Sequence, residues 1–273
     1  MTLLNSFMRI VFLFVFLVSY PHSTVFSEEK TEIVNRKPII YFDESSAWPI
    51  RKDTTIWQLN SINPDFVLYD DGLVIFKKDK DQFDLYSVQL TKDEMNGLLE
   101  KFNIGDDFMK LEGSYSTNNL FDQLTYLIKY WQNSKMKRVL VSGPIRDSEE
   151  NRKNTPPAFL ELFDQIISFT NKDAPLWQPE KVEIHLYPFT DSQGEPVPWP
   201  KEWPDLNHPT TKKNADEWSK YSYTIYLDGE KKDEFEEMFS SLKEEQAVLI
   251  NEKPWYIAPK RYILPGEEMW VGN

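Results

Sequence analysis

Apolar and polar positions alternate with different periods along this chain, and each period predicts a different element. Two four-residue apolar runs, FVLY at 66–69 and LVIF at 73–76, flank Asp70, Asp71 and Gly72. Asp-Gly between β-rich runs predicts a tight hairpin, because glycine enters positive φ without steric cost and aspartate tolerates it. The two aspartates are therefore read as a turn rather than as a catalytic or metal-binding pair. FDLYSVQL follows as a third strand, and then the period changes. In TKDEMNGLLEKF, Met95, Leu98, Leu99 and Phe102 fall at i, i+3, i+4 and i+7, one face of a helix. Thr91 and Glu94 ahead of them have the spacing of a capping box.

Two further segments repeat the helical spacing: Phe159, Leu162, Phe163 and Ile166 after NTPP, and Phe235, Met238, Phe239 and Leu242 after LDGE. Strands are predicted at 124–131, 137–141, 182–187, 223–227, 247–250 and 255–264. Amphipathic helices alternating irregularly with hairpins predict an α+β protein, with antiparallel sheets and helices packed on one face. NKDAPLWQPE, residues 171–180, is polar and proline-bearing, and it divides the pattern into two sheet-and-helix units, 28–175 and 176–273.

The N-terminus follows a different rule. Arg9 precedes the apolar run IVFLFVFLVSY, residues 10–20, and Pro21 ends it. The run is much shorter than the roughly 20 residues of a membrane-spanning helix, and its layout is that of a signal peptide. Cleavage is expected after Ser27, with Val25 and Ser27 at the small-residue positions; Met8 is an alternative start for the same leader. Export to the periplasm or medium follows, with no membrane span in the mature chain.

Removing residues 1–27 takes away one charge, Arg9, so 30 basic residues face 44 acidic ones and the net charge is 30 − 44 = −14. That charge opposes nucleic acid and anionic lipid. The chain contains no cysteine, which excludes disulfides and thiolate metal sites, so the fold must rest on an ordinary core.

YDDGLVIF, TKDEMNGLLEKF, a strand near MKRVLV, a proline-started helix and VEIHLYPF occur in that order. Over about residues 64–265 this resembles uncharacterised exported bacterial proteins whose core begins with a Y-x-DG-x-V-I hairpin. PWPKEWPDL and RYILPGE are similar to tail segments of part of that group. The resemblance implies an α+β fold, export and no established activity, and it transfers no catalytic residue.

Few catalytic kits fit the remaining composition. Beyond the leader, histidine is limited to His185 and His208. His185 is expected on the polar side of a strand, with Glu183 and Tyr187. No Gly-x-Ser-x-Gly elbow, clustered zinc ligands or phosphate-cradling glycine loop is present. DKDQFD at 79–84 lacks the turn glycine and the twelfth-position glutamate of a calcium loop. No cofactor is expected. The segment left over is GEPVPWPKEWPDLNHP, 194–209, which sets Trp199 and Trp203 among prolines. Two readings stay open: rings that pin a long loop to the body, or a rigid aromatic surface for an envelope protein or glycan. The composition favours a non-catalytic binding or inhibitor-like protein. The alternative is a cofactor-independent hydrolase of cell-wall or extracellular polymer that uses paired carboxylates.

Overall fold

The apolar pattern leaves one central piece of the fold unmarked: β1, Pro38–Ser46. In the computed structural model, which describes residues 36–46, 63–78, 84–120, 123–133, 135–188, 194–214, 222–243, 246–257 and 261–267, this strand joins the hairpin to the rest of its sheet. It pairs antiparallel with β2 (Phe66–Tyr69), Ile40 opposite Leu68. Its other edge pairs with β6 (Leu124–Gln132), Ile40 opposite Tyr130. With β3 (Leu73–Lys77), β4 (Leu85–Gln89), β5 (Ser114–Ser116) and β7 (Lys135–Ser142) they form a seven-stranded sheet in the order β4-β3-β2-β1-β6-β7-β5. The expected leader at 1–27 and residues 79–83 of the calcium-like segment lie outside the described residues.

The Asp-Gly turn sits where its sequence places it. Gly72 has φ +87° and donates its N–H to Tyr69 O at 3.1 Å. Asp71 accepts from Leu73 N at 3.1 Å and pairs with Arg36 at 2.5 Å. Asp70 accepts from Lys37 N at 3.2 Å. Both carboxylates are thus occupied in tying the turn to the start of β1.

All four residues of β2 are buried, which accounts for the unbroken apolar run. Phe66 and Leu68 enter one core, and Val67 and Tyr69 enter a second. The first core is closed by helices. Phe102 of α1 (Lys92–Phe102), Phe108 of α2 (Asp106–Met109) and Phe159, Leu162, Phe163 and Ile166 of α4 (Pro157–Ile167) all lie in it. Between them, α3 (Glu149–Lys153) is one short turn. Thr91 and Glu94 form both hydrogen bonds of the capping box on α1.

A second seven-stranded sheet holds β8 (Lys181–Pro188), β9 (Val197–Pro198), β10 (Lys212–Asn214), β11 (Ser222–Asp228), β12 (Val248–Ile250), β13 (Lys253–Ile257) and β14 (Arg261–Tyr262). Its order is β10-β11-β8-β13-β12-β9, with β14 also pairing β8. The architecture is α+β, with two sheets and a few helices. Most pairings are antiparallel, and the short β5–β7 and β9–β12 pairings are parallel. Val182, Ile184 and Leu186 alternate into the second core beside Phe235 and Phe239 of α5 (Lys232–Ser241). That core also takes Val67, Leu73, Ile75 and Leu85 from the first sheet, so the two sheets share it. Residues 175–177, within the proline-bearing segment, bond to β4: Ser87 N donates to Pro175 O at 3.1 Å and Trp177 N to Leu85 O at 2.7 Å.

Candidate functional site

The segment from Trp199 to Thr211 crosses from β9 to β10, and its course is fixed by its own side chains. Trp199 N donates to Leu249 O at 3.1 Å, extending the parallel pairing of β9 with β12. Its indole Nε1 donates to Pro204 O at 3.0 Å. The Trp199 and Trp203 rings meet edge to face at 5.1 Å, and Trp203 lies 6.1 Å from Phe235 of α5. Further on, Asp205 accepts from Asn251 Nδ2 at 2.8 Å and Asn207 N at 2.9 Å, while Thr211 Oγ1 donates to Asp205 O at 2.7 Å. The Asn251 bond, followed by that from Asn207 N, holds the Asp205 carboxyl below its ordinary range.

The tryptophans are 7% and 5% exposed and belong to the second core. They pin the loop to the body, as the first of the two readings expects, and present little area to a partner. The indole nitrogens differ: that of Trp199 is paired, whereas that of Trp203 is buried without a hydrogen-bond partner among the described residues.

Pinning the loop creates a cavity of about 530 Å³ between it and the ends of β8 and β11. That volume falls within the range of about 300–1,000 Å³ typical of small-ligand sites. Lys181 and Asp228 line it from the sheet, Lys201 and Glu202 from the loop, and Trp203 and Tyr226 supply aromatic wall. Lys181 and Asp228 are register partners across β8 and β11. Apart from Trp203 these residues carry no mark in the sequence, because each belongs to an ordinary solvated position until the loop folds over the sheet.

Both histidines beyond the leader make local hydrogen bonds. His185 is half-buried on β8 with both ring nitrogens engaged, Nε2 on Glu183 at 2.8 Å and Nδ1 on the Thr224 hydroxyl at 3.3 Å. Glu183 also meets Arg261 at 3.2 Å, and Arg261 continues to the buried Glu267. Burial alone would raise the Glu183 carboxyl, but the bonds from His185 and Arg261 outweigh it and bring it down to about 2. His208 Nδ1 faces the Thr210 hydroxyl at 2.9 Å.

Asp43 of β1 shows the opposite behaviour. Burial first, and the charge of Asp65 second, push its carboxyl up to about 7 against the pull of Lys77. Asp65 itself pairs with Lys77 at 2.8 Å. Neither Asp43 nor Asp65 lines the cavity under the loop. Among the described residues no cluster of three or more potential metal ligands occurs, and no helix is long and apolar enough to cross a membrane. No family model, curated protein or solved structure matches the chain. The resemblance to exported hairpin-core proteins therefore rests on the quoted residues alone.

Proposed function

We propose that this chain is an exported, non-catalytic binding protein of the periplasm or extracellular space, and that the cavity under the 199–211 loop receives a glycan. The make-up of that cavity carries the reading. It is concave, its wall includes the half-buried Tyr226 ring, and its rim carries both donors and acceptors. An aromatic ring and groups of both hydrogen-bonding kinds suit a polyhydroxylated ring, which presents apolar C–H faces and a periphery of hydroxyls. A flat protein interface would instead want a broad exposed apolar centre.

Non-catalytic action is supported by the carboxyls of the cavity. Glycosidase chemistry needs one carboxyl held protonated beside one held ionised. Asp205, which lines this cavity, is instead held down by loop hydrogen bonds. The hydrolase reading is favoured by a different observation, the raised Asp43 next to Asp65. Isothermal titration with envelope-derived oligosaccharides separates the two. Binding that is lost in Tyr226→Ala, with the melting temperature retained and no product formed, supports the glycan-binding reading. Product formation abolished by Asp43→Asn would replace it with the hydrolase.

A further inference from the structure

We propose that the ligand of this cavity is zwitterionic: a glycan segment whose carboxylate meets Lys181 and Lys201 and whose ammonium group meets Glu202 and Asp228. This inference rests on the glycan-site reading and narrows it. It follows from which charges around the cavity are already used. Lys231 is tied to Glu234 at 2.7 Å and also feels the charge of Glu202 without closing an ion pair with it. Asp205 is occupied by Asn251 and Asn207, and His208 by Thr210. Lys181, Lys201, Glu202 and Asp228 make neither an ion pair nor a side-chain hydrogen bond with any described residue.

These four groups come as two cation–anion couples on separate elements. Lys181 stands in register with Asp228 across two strands, yet the two side chains do not close an ion pair. Lys201 and Glu202 are consecutive on the loop. A purely anionic ligand drawn to either lysine would sit beside a carboxylate, and a purely cationic ligand drawn to either acid would sit beside a lysine; like-charge neighbours cancel much of such attraction. A ligand carrying both signs gains at both ends. A neutral sugar would leave all four charges to water and gain only ring and hydroxyl contacts.

The test is a titration of the full mature chain at low ionic strength with four sugars of one ring type: glucose, neutral; glucosamine, cationic; N-acetylmuramic acid, anionic; and muramic acid, which carries both charges. Muramic acid is expected to bind on the order of tenfold more tightly than either singly charged sugar, with the advantage shrinking as salt is added. Lys201→Met should weaken muramic acid at least about threefold more than it weakens glucosamine, and Glu202→Gln at least about threefold more than N-acetylmuramic acid. Both positions are exposed, so an unchanged thermal melt certifies the fold. Equal affinity for all four sugars would overturn the zwitterion assignment and leave the glycan site standing, as would a preference for one singly charged sugar. Failure of all four to bind would overturn both.

Discussion

Trp199 and Trp203 have similar burial but different polar ends, and that difference allows the anchoring role to be measured. Replacing either ring by alanine removes a large buried side chain, a change that costs about 3–5 kcal/mol in well-packed cores. Phenylalanine separates the ring from the N–H. In Trp199→Phe the Pro204 carbonyl loses its indole donor, and the change should cost about 1–2 kcal/mol beyond the small loss of area. In Trp203→Phe the group removed is a buried N–H without a partner among the described residues. Its desolvation penalty, about 1–3 kcal/mol, disappears and offsets the lost area, so the variant should lie within about 1 kcal/mol of the parent. Urea unfolding followed by tryptophan fluorescence and far-UV circular dichroism gives all four differences, provided the dependence on denaturant keeps its slope. Limited proteolysis should show cutting within 199–211 in the two alanine variants only. Alanine variants within about 1 kcal/mol of the parent, or a Trp203→Phe loss larger than that of Trp199→Phe, would refute the reasoning.

Four other outcomes are expected. At Gly72 a Cβ would lie 2.6 Å from Leu90 O at a φ of +87°, so Gly72→Val should cost about 2–4 kcal/mol in the same urea assay, while Asp70→Asn, which keeps the acceptor for Lys37 N, should stay within about 0.5 kcal/mol. The Asp43 carboxyl is raised to about 7 in the folded chain, so its contribution is fully present below its ordinary range and is lost as pH rises through 7. Asp43→Asn should therefore flatten the pH profile of stability there and gain about 1–3 kcal/mol at pH 8, less than the full shift implies because water and neighbours screen it. Glu183, brought down to about 2, acts in the opposite sense: its contribution is present above the ordinary carboxylate range and is lost as pH falls toward 2, and Glu183→Gln should reduce that acid-side loss. Mass spectrometry of protein recovered from the envelope or medium should give an N-terminus within a few residues of Glu28, and an intact leader on cytosolic protein would contradict export.

The elements legible in the sequence are those whose code is local. The Asp-Gly turn, the Thr91–Glu94 cap and the i, i+3, i+4, i+7 rows of α1, α4 and α5 each state their geometry within about a dozen residues, and all form except at Leu242, which ends α5 in an extended conformation. β1 was not legible, because what makes Pro38–Ser46 a central strand is pairing with partners as distant as Tyr130. The two-residue β9 and the three-residue β10 are likewise defined by their neighbours rather than by any period of their own. For the site, sequence reasoning reached Trp199 and Trp203 through the proline-stiffened loop and left anchor and surface as alternatives. It could not reach Lys181, Tyr226 or Asp228, since only the fold of the loop over β8 and β11 brings them to Lys201 and Glu202.

The central claim is that a glycan enters the cavity under the 199–211 loop. The most direct measurement is amide NMR of the isotope-labelled mature chain during titration with the binding oligosaccharide. Saturable shifts are expected at residues 201–210, 226–228 and 181, with residues of α1 and the Asp70–Gly72 turn unmoved. Saturable binding whose shifts centre on β1 around Asp43, or on any other surface, with the loop residues silent, would contradict it.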